Sequence, residues 1–174
     1  FKISSALTVV VVFNKGDSSE TVRSFSYISN NAEIFVRHKS EFFVCSKYVN
    51  FIALERVHDV MVLALEKAKS REENRHSDNL RFMLTGAERL EEIFDVESLD
   101  TIYLNFSDPW HKKGYAKRRL TYRKFLVCYF KLLKIGGKLR FKTDNRPLFD
   151  FTLEELSALG LECDFVTYDL HSSE

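Results

Sequence analysis

The densest chemistry in this chain lies between Asn105 and Arg119, which read Asn-Phe-Ser-Asp-Pro-Trp-His-Lys-Lys-Gly-Tyr-Ala-Lys-Arg-Arg. Asp108 supplies an acceptor and Trp110 the chain's only indole ring. Pro109 between them fixes φ and withdraws one donor, so the turn is stiff and the acid is aimed. From His111 to Lys124 there are seven Lys or Arg residues and no carboxylate. A carboxylate beside a flat ring suits a purine base: the ring stacks on it, and the acid takes hydrogen bonds from its edge. Lys112, Lys113, Lys117, Arg118 and Arg119 then suit the adjoining phosphates, with an affinity that depends on salt and is nearly blind to sequence. The plainer readings are an Asp-Pro turn starter, a core Trp and a solvated charge run. All three features in one stretch favour the chemical reading.

Two further acids close short apolar runs. Glu55 follows Phe51-Ile52-Ala53-Leu54, and Asp144 stands in Thr143-Asp144-Asn145 after Lys138–Lys142. A carboxylate ending the second strand of a doubly wound sheet can accept both hydroxyls of a ribose; the plain alternative is a surface Glu. Asp144 equally suits the N-cap of a helix that begins near Pro147.

The elements that position these residues alternate in type. Val57, Val60, Met61, Ala64, Leu65 and Ala68 repeat at helical spacing after the Glu55 strand. Leu80–Met83 reads as a strand, Ala87–Phe94 as a short helix, and Leu99–Phe106 as the strand that delivers the Asp108 turn. Phe125, Leu126, Tyr129, Phe130 and Leu133 form a helix stripe for which Gly136-Gly137 predicts a C-cap. Lys138–Lys142 follows as a strand, then a helix from Pro147 to about Leu159, stopped by Gly160. Leu161–Tyr168 is expected to be a strand. This order predicts an α/β fold with a Rossmann-like, doubly wound, mostly parallel sheet, in an incomplete form. Ligands of such sheets sit outside the carboxyl ends of the strands, where Glu55, Asp108 and Asp144 all fall.

Bulk properties narrow the classes. A chain of 174 residues with 45% hydrophobic content sustains one core and not two comfortable ones. Net charge is only +1, so the basic run matters because it is local: residues 86–100 hold six acids against one Arg. Cys45, Cys128 and Cys163 are odd in number and widely spaced, which fits reduced thiols in a cytoplasmic protein rather than disulfides or a zinc site. The five histidines show no ligand spacing, so no metal is expected. Thr8–Phe13 reads as a possible strand and is far too short to span a bilayer, so no membrane partner is expected. Phe1 in place of Met leads us to expect residues upstream. Residues 1–32 form an atypical N-terminal segment without clear period, ahead of the domain over 33–174.

Taken together, Asn105-Phe-Ser-Asp-Pro-Trp-His-Lys-Lys113, Lys117-Arg-Arg-Leu-Thr-Tyr122, Phe141-Lys-Thr-Asp-Asn145 and Asn50-Phe-Ile-Ala-Leu-Glu-Arg56 resemble the motifs of the bacterial tRNA (guanine-N7)-methyltransferases. The resemblance runs in order over roughly residues 50–171. It implies a class I methyltransferase fold and transfer of a methyl group from S-adenosylmethionine to N7 of a guanine in the tRNA variable loop. It further implies Asp108 as the catalytic acid, also on the cofactor side, with Glu55 and Glu33 as cofactor-binding acids. Lys112 and Asp144 match substrate-binding positions, and Gly114–Arg119 match the RNA-contacting loop, next to Lys113 and Trp110. The partner implied is tRNA, bound by a monomer or homodimer.

The sequence also departs from the family pattern. The best match to its glycine-rich cofactor loop is Glu33-Ile-Phe-Val-Arg-His-Lys-Ser-Glu-Phe42, with Phe35 and Arg37 where glycines would let a ligand approach the backbone. After the third strand, Gly86-Ala87 stand where the family carries an acid near adenine. His111 replaces a Pro, and Gly114-Tyr115 a basic pair. These departures define an alternative: a catalytically impaired homologue that binds tRNA without cofactor.

Overall fold

The computed structural model describes residues 9–14, 49–69 and 80–168. Among them, five strands form one sheet in the order β3-β2-β1-β4-β5. The strands are β1 (Val9–Asn14), β2 (Val49–Glu55), β3 (Leu80–Leu84), β4 (Leu99–Asn105) and β5 (Leu133–Lys142). Helix α1 (His58–Lys69) lies between β2 and β3, and a 3-10 turn (Ala87–Arg89) with α2 (Leu90–Ile93) between β3 and β4. A second 3-10 segment (Lys113–Arg118) and α3 (Arg123–Leu132) lead from β4 to β5, which α4 (Arg146–Ala158) follows.

Side-chain alternation along β2 explains why both sheet faces are covered. Ile52 and Leu54 join a core with Val9, Val11, Ile102 and Leu104, closed by Leu126, Tyr129 and Leu132 of α3. Ala53 points the other way, onto Met61 and Ala64 of α1 and Phe82 of β3. Leu156 and Leu159, at the end of α4, pack against the α3 side.

Strand direction holds one departure from the expected sheet. β2 runs parallel to β3, and β4 parallel to β5. β1 stands between β2 and β4 and is antiparallel to both. Four strands thus share one direction and the central one reverses it. A short valine run with Val9 and Val11 buried fits its slot by alternation alone, and alternation carries no direction. The carboxyl ends of β2 to β5 therefore share one edge, where β1 presents its start: Val9 lies level with Leu54 and Leu104.

Two expected boundaries are corrected. The helix before Gly136-Gly137 ends earlier, at Leu132, and the glycines lie inside β5. Their work is a bulge: Leu99 pairs with Leu133 but Thr101 with Lys138. Gly136 takes a φ of 80°, and a Cβ on Gly137 would stand 2.9 Å from the Lys134 carbonyl oxygen. Leu161–Tyr168, expected as a strand, is irregular. Phe165 and Val166 are exposed, and Tyr168 instead packs edge-on against Phe149, with the Arg146 guanidinium 3.7 Å from its ring. An apolar alternation needs a sheet edge to pair with, and here α4 takes the aromatic end.

Candidate functional site

A cavity of about 290 Å³ opens at the shared carboxyl edge. Glu55, Asp108, Trp110, Lys117 and Arg118 all line it, together with Val9, Thr85, Gly86 and Glu88. β2 and β4 flank β1, so the Glu55 side and the Asp108 side start two inter-strand steps apart, about 9.5 Å.

Glu55 ends β2 and is only 5% exposed. Its Oε1 accepts the Val57 N–H at 2.8 Å, immediately before α1. The start of a helix is electrostatically suited to a carboxylate. Next to it, the β3 end contributes Thr85, whose Oγ1 is buried with no hydrogen-bond partner among the described residues. Gly86 leaves the room that the Glu88 carboxylate takes, since a Cβ there would run into that group. The edge that lacks an acid at Gly86-Ala87 thus receives one from Glu88.

The opposite wall is the turn after β4. Phe106 (φ 46°) and Trp110 (φ 43°) are non-glycine residues in the left-handed region. Such conformations cost on the order of 1–3 kcal/mol each and persist only where the surroundings impose them. Here those surroundings are visible. The Phe106 N–H donates to the Lys142 carbonyl at 2.8 Å, and Arg119 donates from Nε to the Pro109 carbonyl at 2.9 Å and from Nη2 to the Trp110 carbonyl at 3.2 Å. Trp110 meets Tyr115 edge-on at 6.0 Å, and the Arg118 guanidinium lies 5.0 Å from the first ring and 4.8 Å from the second. Arg118 is therefore held at the cavity by cation–π contacts that still leave its donors at the surface. Ser107, between the acid and β4, is buried and its hydroxyl is unpartnered among the described residues.

α4 braces this wall. Glu155 is buried, and its two oxygens accept from the Arg123 N, Nε and Nη2 at 2.8, 3.0 and 2.9 Å. The Arg123 bonds hold its carboxyl below the usual range. The Thr152 hydroxyl contacts that of Thr121 at 2.8 Å. One of the seven cations of the basic run is thereby bound to a carboxylate rather than presented to a ligand.

The remaining expected site residues divide. Lys117 lines the cavity, and Lys112 and Lys113 are exposed at the start of the 3-10 segment without lining it. Asp144 lies at the same sheet edge, two residues past β5, but it is exposed and outside the cavity wall. It is not the helix N-cap either: Asn145 accepts the Leu148 N–H at 2.9 Å. Glu33 falls outside the described residues. Sequence reasoning passed over Thr85 and Glu88, for which Gly86 after a strand was the one available signal. Burial pushes the Cys128 thiol up to about 11. No helix among the described residues is long and apolar enough to cross a membrane.

The cavity thus offers a buried carboxylate acceptor and an orphan hydroxyl on one side, and an acid, a ring and cations on the other. Comparison with known proteins bears on the family. Residues 46–174 match a family model described as putative methyltransferase. The tRNA (guanine-N(7)-)-methyltransferase of Lachnoclostridium phytofermentans is 45% identical over 126 residues, covering 72% of this chain and 57% of that protein. That of Macrococcus caseolyticus is 44% identical over 126 residues (72% and 58%), and that of Bacillus subtilis 41% over 125 residues (72% and 57%). The chain spans about 57% of the length of these curated relatives.

Proposed function

Because the chain belongs to the putative methyltransferase family that its residues 46–174 match, we propose that it transfers a methyl group from S-adenosylmethionine to N7 of a guanine in tRNA. The observation that carries the reading is that Glu55 and the Asp108–Arg118 group line one cavity. The residues present fit the nucleoside half of the cofactor. Glu55 is a buried acceptor suited to ribose hydroxyls, the orphan Thr85 hydroxyl suits a ring nitrogen, and the Glu88 carboxylate suits an exocyclic amine. Bound there, S-adenosylmethionine supplies an electrophilic methyl group, which an in-plane lone pair such as that of guanine N7 accepts without losing a proton.

No strong general base is needed, so the chain's own contribution is placement. Asp108 takes hydrogen bonds from the N1–H and N2–H side of guanine, which leaves N7 on the opposite edge. Trp110 stacks on the base, while Lys117 and Arg118 hold the flanking phosphates, joined from the surface by Lys112 and Lys113; Asp144, an acceptor at the same edge, suits a donor group of the tRNA such as a ribose hydroxyl. Orientation of this kind can supply roughly 7–11 kcal/mol.

The second reading, a tRNA binder without cofactor, draws on the reversed β1. At the centre of the edge β1 presents its start, Val9, rather than its carboxyl end, Asn14. Calorimetric titration with S-adenosylmethionine, paired with methyl transfer to tRNA lacking the modification, separates the two. Cofactor heat and transfer are expected. Intact tRNA binding with neither would establish the second reading.

A further inference from the structure

We propose that Arg119 is a positioning residue that sets the Asp108–Trp110 turn, not a phosphate contact like its neighbours in the basic run. The inference rests on the methyl-transfer reading above and concerns the same site. Arg119 is half-buried, and one edge of its guanidinium is engaged. Nε and Nη2 donate to the consecutive carbonyls of Pro109 and Trp110, and Cζ lies 4.3 Å from the centre of the Phe151 ring on α4. The turn needs such a brace. Pro109 has no N–H to donate, and Trp110 is held at a φ of 43°, a conformation a bulky side chain does not keep unaided. A planar fork placed over an aromatic ring meets two adjacent carbonyls at once, which a lysine cannot do. Arg119 thus links α4 to the acid and ring that face the cavity, while Arg118, one residue earlier, turns to the Trp110 and Tyr115 faces.

The test compares Arg119→Lys, Arg119→Ala and Phe151→Leu in the intact protein. Trp110 is the chain's only tryptophan, so its fluorescence reports the turn directly. All three variants are expected to shift Trp110 emission to the red and raise its quenching by acrylamide. Arg119→Lys, although it keeps the charge, is expected to lower kcat for methyl transfer at least tenfold. Its tRNA affinity and the salt slope of that affinity should stay within about twofold of wild type. A lysine variant that matches wild type in emission and kcat, beside an alanine variant with a shallower salt slope, would overturn the proposal and make Arg119 a phosphate contact. If the wild-type protein transfers no methyl group, the methyl-transfer reading fails; the emission and quenching of the three variants still decide the role of Arg119.

Discussion

Glu55→Gln is the substitution that most directly probes the cofactor side. It keeps the shape of the side chain, and the amide oxygen can still accept the Val57 N–H now seen at 2.8 Å. What it removes is the charge, in a residue only 5% exposed, where a hydrogen bond to a charged acceptor is screened little. Such bonds contribute about 1.5–3 kcal/mol. The dissociation constant for S-adenosylmethionine should therefore rise roughly 13- to 160-fold. Calorimetry measures this directly, and thermal unfolding offers a second route. Ligand at 100 times the wild-type Kd adds about 2.7 kcal/mol to stability, but only about 0.4 kcal/mol once Kd has risen 100-fold. In the absence of ligand the variant should lose less than about 1 kcal/mol, the scale of a charge at a helix start. A Kd within twofold of wild type would refute the assignment. So would a large loss of stability without ligand, which would make Glu55 a structural residue.

Asp108→Asn should abolish transfer while tRNA affinity, carried mainly by phosphate contacts, falls by no more than about tenfold, as a filter-binding assay can show; a loss of binding as large as the loss of transfer would make the acid structural. Lys117→Ala, at the cavity wall, should reduce the slope of log affinity against log salt by roughly 0.7–0.9, one phosphate contact. An unchanged slope would remove Lys117 from the interface. Glu155 gives a pH dependence of stability: its carboxyl is held below the unfolded value of about 4.3, so its contribution is complete above that pH and lost as pH falls through the lower folded value. Urea midpoints of Glu155→Gln and wild type should differ most near neutral pH and converge on acidification, and a constant difference would count against this origin.

Most of what positions the site could be read from residue order, because apolar periodicity and turn residues are local signals. The strand ending at Glu55, the α1 stripe and the strand ahead of Asp108 all follow from spacing over a few residues. Gly136-Gly137 misled because a glycine pair serves a helix end and a strand bulge equally well; only the partner strand β4 distinguishes them. Leu161–Tyr168 alternates like a strand but pairs with neither edge strand, β3 nor β5, and its aromatic end lies against Phe149 of α4 instead. The direction of β1 was out of reach, since valines alternate identically read either way. Charge runs carry the same ambiguity at the site. Lys117, Arg118, Arg119 and Arg123 look equivalent in sequence, yet they face the cavity, two aromatic rings, a backbone turn and Glu155 respectively.

The place of β1 has a consequence for how the protein acquires its cavity. Without it, β2 with β3 and β4 with β5 are two separate ribbons, because no strand of one pair adjoins the other. Val9 bridges them by meeting Leu54 on one side and Leu104 on the other, partners far from it along the chain. Contacts of such long range form slowly, since the chain must close large loops before they reward it. Glu55 and Asp108 belong to different ribbons, so neither wall acquires its counterpart until that insertion occurs. The binding site thus depends on the longest-range pairing of the sheet, Val9 with Leu104, and a chain without it has two half-sites and no cavity.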